Sequence, residues 1–172
     1  MPRRFIHRHQ ARQDFSVWVK AALGGLLALA LVGALGEWSG LPMLAAPLGA
    51  SAVLLFALPD SPLSQPINLI GGHGLATLLG LVLDHLLPPS GWSIALAVGL
   101  VIGLLGALRL MHPPAGADPI LVMMLHPDWS FLLTPVLAGA VTLVLVGLIV
   151  HRLPPRRIYP LPIGAGTGAQ GS

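Results

Sequence analysis

Two consecutive prolines and a glycine stand between long apolar stretches, in Met111-His112-Pro113-Pro114-Ala115-Gly116-Ala117-Asp118-Pro119. No regular helix runs through such a sequence. Each proline lacks an N–H and clashes with the preceding turn, and the residue before a proline is pushed toward extended backbone. Because the flanks are hydrocarbon-like, the freed carbonyl and amide groups must find partners in protein or in a water-lined cavity. Asp118-Pro119 then reads as the N-cap and first position of a helix that restarts through residues 120–125. This break is the first place to look for function.

Of the 172 residues, 55% are hydrophobic and only 9% charged, against about 25% charged in an average soluble domain. Mean hydropathy is +0.83. The chain reads as an integral membrane protein with no room for a soluble catalytic domain. It has no cysteine, which excludes disulfides, thiolate metal sites and thiol nucleophiles. The basic residues gather at the two ends, a pattern that suits anionic lipid and not nucleic acid.

Residues 1–16 form a basic segment with Arg3, Arg4, Arg8 and Arg12, expected on the cytoplasmic side. The apolar run 17–36 is long enough to cross a hydrocarbon core of about 30 Å. Ala28-Leu29-Ala30 loosely resembles a signal cleavage site but lies inside that run, so an uncleaved span is expected. Further full spans are expected over 68–87, 92–110 and 131–150. Segment 43–58 is apolar but interrupted by Pro47 and Gly49. Gly99, Gly103 and Gly106 have the small-residue spacing of a close helix contact. Residues 152–172 read as a basic, then glycine-rich, disordered tail. The fold class is therefore an all-α membrane bundle, a domain over 17–151 with four full spans and two Pro/Gly-interrupted segments.

An internal repeat emerges when "PLGASAVLLFALPD" (47–60) is laid on "PAGADPILVMMLHPD" (114–128). Pro47 pairs with Pro114, Gly49 with Gly116, Ala50 with Ala117 and Ser51 with Asp118. Either the chain is two related halves, 17–87 and 92–151, or few residue types have produced a chance likeness. The basic residues put both ends in the cytoplasm of a cell whose inner membrane holds the protein. Six passes keep Arg109 on that side, whereas four, with both interrupted segments re-entrant, move it outside.

Paired helix starts are the chemical core of this reading. A helix N-terminus carries unsatisfied N–H groups and about half a positive charge, and broken membrane helices use such ends to hold anions near the midplane. Ser51 and Asp118 are expected to cap the two short helices, with Gly49 and Gly116 letting a ligand approach the backbone. The alternative is that Pro47, Pro113, Pro114 and the glycines only kink helices so that they pack. His112 either binds a small oxyanion and shuttles a proton with it, or hydrogen-bonds the carbonyls around Pro113-Pro114. His73 is ionisable within a span and functional by default, or makes an interhelical hydrogen bond. Gln65 and Asn68 offer amide donors to an anion, or simply accompany Pro66 at the interface. An ionised Asp118 would repel an anion, which opens a second reading, a cation path through His73, His112 and Asp118. No metal-ligand spacing and no nucleophile–base pair or metalloprotease pattern is visible along the helices, so neither a cofactor nor an enzyme is expected.

The stretches "APLGASAVLLFALPDSPLSQPINLIGGHG" (46–74) and "LRLMHPPAGADPILVMM" (108–124) resemble the HPP family of integral membrane proteins, so called from its His-Pro-Pro motif. The likeness covers roughly 46–150. Family members are usually described with four transmembrane helices, and some plant and cyanobacterial relatives as nitrite transporters. The resemblance thus implies a transporter or channel for a small inorganic anion, nitrite first, in which Pro47, Gly49, Ala50, Ser51, Gln65, Asn68, His73, His112, Pro113, Pro114, Gly116, Ala117 and Asp118 are the candidate site. A non-transporting scaffold or regulatory module is the competing expectation. The short chain with two halves also suggests a homo-oligomer.

Overall fold

The computed structural model describes residues 6–163, and these are helical, with no strand among them. Six α-helices follow in order: α1 (Phe15–Ser39), α2 (Ala46–Ala57), α3 (Pro66–Leu86), α4 (Gly91–Ala107), α5 (Asp118–Leu125) and α6 (Ala138–Val150). Short 3-10 turns, Pro62–Ser64 and Pro113–Ala117, precede α3 and α5, and a π-type stretch kinked at Thr134, Leu132–Leu137, leads into α6. Boundaries follow local chemistry. Prolines stand in the first turns of α2, α3 and α5, where a missing N–H is harmless. Ser90 and Ser93 cap α4 reciprocally, and left-handed Gly40 ends α1.

Three elements are long and apolar enough to cross a membrane: α1, α3 and Leu132–Val150. Helix α4, expected as a fourth full span, has 17 residues, or about 26 Å at 1.5 Å per residue. Consecutive helices alternate in direction. Lys20 Nζ donates to the carbonyls of Leu153 (2.9 Å) and Pro155 (2.7 Å), and His151 Nε2 to that of Leu55 (3.1 Å). Asn68 Nδ2 donates to the carbonyls of Arg109 (3.3 Å) and Met111 (3.1 Å). These bonds put the start of α1, the end of α2, the start of α3, the stretch after α4 and the end of α6 at one end of the bundle, with Lys20, Arg109, Arg152, Arg156 and Arg157. At the other end, His126 Nδ1 meets Asp84 Oδ1 at 2.7 Å, joining α3 to α5.

Small residues set how closely the helices approach. On α1 every fourth residue of one stripe is buried, Gly24, Ala28, Val32 and Gly36, while Leu23, Leu26, Leu27 and Leu31 face outward. On α3 the stripe is Gly72, Ala76 and Gly80. Against it lies the broken segment: a Cβ on Gly80 would stand 3.0 Å from Pro119 Cα. The glycines expected to mediate close packing on α4 do not. Nothing lies within 4 Å of a Cβ built on Gly99 or Gly103, and Gly106 would meet only Met111 Cε at 3.7 Å. The buried line of α4 is Ser93, Ala97, Val101 and Leu105.

The tail expected to be disordered begins as an ordered strap, and residues 164–172 lie outside the described residues. Tyr159 is buried and its hydroxyl donates to the Ser64 carbonyl at 3.2 Å, while Leu161 N donates to Gln65 Oε1 at 2.8 Å. Proline removes competing donors from the strap, and Lys20 satisfies two of its carbonyls. Burial of the Tyr159 hydroxyl among apolar neighbours pushes its pKa up, so it stays a neutral donor. His151, just past α6, is held below the ordinary histidine range, by burial first, with Lys20 and Arg157 adding to it against the Leu55 hydrogen bond and Asp60. A group depressed in this way contributes stability that is present above its unfolded pKa of about 6.5 and lost as pH falls through its lower folded value. The thermal midpoint is therefore expected to fall on acidification from about pH 7.5 to about pH 5, and to fall less in His151→Gln, whose amide can still donate to Leu55.

Candidate functional site

Where the two broken segments meet, four polar side chains form one continuous hydrogen-bonded chain. Asp118 Oδ2 lies 2.7 Å from His73 Nδ1, His73 Nε2 lies 2.6 Å from Ser51 Oγ, and Ser51 Oγ lies 2.8 Å from His112 Nε2. His112 Nδ1 then bonds the Leu63 carbonyl at 2.8 Å. Ser51, His73 and His112 are fully buried and Asp118 is 2% exposed. Four separate elements contribute. Ser51 comes from α2, His73 from α3, His112 from the extended residue before Pro113, and Asp118 from the first turn of α5. His73 is seven residues into α3, about 10 Å from its start.

Proton positions follow from what each partner can do. A carbonyl only accepts, so His112 Nδ1 carries a proton and donates to Leu63. In neutral His112 the Nε2 is then bare and accepts from the Ser51 hydroxyl. Since Ser51 has one proton, His73 Nε2 must donate to Ser51 Oγ. The remaining proton sits between His73 Nδ1 and Asp118, as imidazolium with carboxylate or imidazole with carboxylic acid. Ser51 Oγ has a further acceptor in reach, the Pro47 carbonyl at 3.0 Å. If His112 gains a proton, Nε2 becomes a donor to Ser51 Oγ and the hydroxyl turns to Pro47. The contacts from Asp118 to Leu63 are kept in either state, and the Ser51–Pro47 bond is made only in the second. The cluster can thus hold one proton more or fewer without leaving a buried group unsatisfied, a condition that is otherwise costly.

Around this chain the remaining expected site residues separate into three groups. Pro47, Ala50, Pro113, Pro114 and Ala117 line one apolar groove of about 550 Å³ beside the chain, so the paired positions of the two interrupted segments share a cavity. A Cβ on Gly49 or Gly116 would meet nothing within 4 Å: the space beside both is open. Gln65 and Asn68 take no part. Gln65 Nε2 donates to the carbonyls of Pro59 (3.0 Å) and Ser61 (2.8 Å), and Asn68 holds the stretch after α4.

The capping roles expected of Ser51 and Asp118 are corrected. Ala45 and Ala117 are the N-caps, and neither makes a side-chain cap bond. Ser51 sits inside α2, and Asp118, one position later than expected, is drawn away to His73. His112 bonds Leu63 and not the carbonyls around Pro113-Pro114. Sequence reading also missed three contributors. Leu63 offers only its carbonyl, invisible in its residue type. Gly72 allows the His-Pro-Pro segment to approach α3. Thr77, one turn beyond His73, is fully buried and stands beside the Asp118 carboxylate without a well-formed hydrogen bond to it, and the His73–Thr77 spacing of four is the signal that could have found it.

Residues 10–160 match the family described as "HPP, transmembrane region". The chain is similar to a transmembrane protein of Dictyostelium discoideum, 36% identical over 150 residues that make up 82% of this chain and 53% of the relative. It is similar to a second transmembrane protein of that organism, 36% identical over 120 residues, 65% of this chain and 39% of the relative. The chain thus spans about half the length, or less, of these relatives. No solved structure matches it. The matched region runs from before α1 into the strap and encloses every member of the buried chain, and this protein belongs to the HPP family of transmembrane proteins.

Proposed function

We propose that this membrane protein is a transporter that moves a small inorganic anion, nitrite the first candidate, together with a proton held by the Asp118–His73–Ser51–His112 chain. The observation that carries this reading is that two-state chain. Ionisable groups within a membrane domain are costly, and proton relays are a principal reason to keep them. Coupling to a proton also answers the difficulty that Asp118 raises for an anion, because the carboxylate is matched by a histidine and an added proton balances an incoming negative charge. The groove beside Pro47 and Pro114 gives the substrate an approach. Rearrangement of the two interrupted segments would expose the chain alternately to the two sides, with the Lys20–Arg157 end in the cytoplasm.

Reconstitution into proteoliposomes tests this directly. Nitrite uptake is expected to rise with an inward proton gradient and to be accompanied by internal acidification read with a pH-sensitive dye. Proton movement without nitrite would favour the cation path, and no movement of nitrite or related anions would favour a scaffold or regulatory module. One observation favours a second reading. Ser51, His73 and Asp118 have the heavy-atom connectivity of a nucleophile–base–orienter triad, at 2.6 and 2.7 Å, in the tautomer where the Ser51 hydroxyl donates to a bare His73 Nε2 instead of to His112. A hydrolase would label covalently at Ser51 with a fluorophosphonate, whereas a proton carrier would not.

A further inference from the structure

We infer that the strap after α6 builds a binding site for the phosphate group of an anionic phospholipid, held by Arg152, Arg156, Arg157 and His151. These residues and Ile158 line a cavity of about 500 Å³ at the basic end of the bundle. Two polar atoms there are buried and lack partners among the described residues, His151 Nδ1 and Arg157 Nε. His151 is 2% exposed. Its Nε2 is committed to the Leu55 carbonyl, so Nδ1 is left to accept from a headgroup hydroxyl, or to donate to a phosphate oxygen once a bound anion draws a second proton onto the ring.

The charge around His151 is strongly positive. Lys20 faces it from α1, Asp60 from the loop before α3, and Arg157 and Tyr159 from the strap itself. Asp60 is the acid paired with this group, its Oδ2 lying 3.4 Å from Arg157 Nη2. The heads of Arg152 and Arg156 are exposed and lack an acidic partner among the described residues. Guanidinium groups match phosphate oxygens in a planar fork, and basic clusters of this kind beside a span recognise anionic headgroups.

A lipid source for the phosphate is favoured by a second cavity on the same strap. Val150, Leu153, Pro154 and Pro155 form one wall of an apolar groove of about 460 Å³ that continues along α1 past Leu23 and Leu27. A headgroup at the arginines therefore has an apolar channel beside it for an acyl chain, which free phosphate would not use.

The test uses the full chain in neutral detergent, with short-chain phosphatidylglycerol, short-chain phosphatidylcholine and inorganic phosphate as probes. Binding is followed by native mass spectrometry and by the thermal shift of tryptophan fluorescence. Phosphatidylglycerol is expected to bind at least about tenfold more tightly than either of the others. The double variant Arg152→Gln/Arg156→Gln is expected to lose roughly twenty-five-fold, at about fivefold per arginine, while Arg12→Gln, basic but outside the cavity, changes affinity less than about twofold. Equal binding of inorganic phosphate would overturn the lipid assignment. An equal loss in Arg12→Gln, or an unchanged double variant, would overturn the site.

Discussion

Asp118→Ala is expected to destabilise the protein by about 3–5 kcal/mol, the range for removing one partner of a buried charged pair. The cost arises because His73 is fully buried and its Nδ1 would face the gap with no partner. Its Nε2 is bound to Ser51, so the loss spreads along the chain toward His112. Asp118→Asn separates folding from function. The amide Nδ2–H can donate to a bare His73 Nδ1, so every hydrogen bond is retained in the neutral tautomer and the thermal midpoint should stay close to that of the parent. What the amide cannot do is share a proton with His73. Proton-driven nitrite uptake is therefore expected to fall at least about a hundredfold in Asp118→Asn, an effect of about 3 kcal/mol on the barrier. Four tryptophans in the chain make the midpoint readable by fluorescence. If Asp118→Asn transports as well as the parent, the carboxylate only orients His73 and the proton does not pass through the His73–Asp118 pair.

How much of this could be read from residues alone depends on the range of each interaction. The breaks at Pro47 and Pro113-Pro114 were legible because proline acts on its own backbone, and the helices begin close to where the prolines require. The apolar runs likewise gave the helices to within a few residues. Partners distant in sequence were a different matter. Asp118 and His73 are 45 residues apart and Ser51 and His112 are 61 apart, and no periodicity within one helix reports a pairing between two. Local capping rules gave Ser51 and Asp118 the wrong task for the same reason: a cap bond is weak, about 1 kcal/mol, and a buried histidine that needs a partner outcompetes it. The glycines misled as well. Gly99 and Gly103 have the spacing of a contact stripe, as Gly72 and Gly80 nearly do, but only the fold decides which stripe faces a neighbour. The strap was hidden because the hydrogen bonds of Lys20 and Tyr159 that hold it end on backbone carbonyls, which carry no residue signature.

Gly72→Ala is expected to cost about 1–3 kcal/mol, the usual penalty for overfilling a packed interior. A Cβ at Gly72 would come within 2.8 Å of His112 Cβ and 3.2 Å of the Leu110 carbonyl oxygen. Neither neighbour is the free end of a flexible side chain. His112 is fixed by Leu63 on one side and Ser51 on the other, and Pro113 follows it at once, so the whole His-Pro-Pro segment would have to retreat from α3. Retreat lengthens the 2.8 Å contact between Ser51 and His112, and a hydrogen bond weakens steeply with such a change. Stability and proton-coupled uptake should therefore fall together. Gly103→Ala is the matched control, since nothing lies within 4 Å of its Cβ. There alanine gains about 0.8–1.0 kcal/mol of helix propensity over glycine, and the midpoint should rise. The two substitutions add the same methyl group to helices of the same bundle and are expected to act with opposite sign. Were Gly72→Ala as stable as Gly103→Ala, the His-Pro-Pro segment would not be seated on α3 at Gly72. In that event His112 would not be held within reach of Ser51.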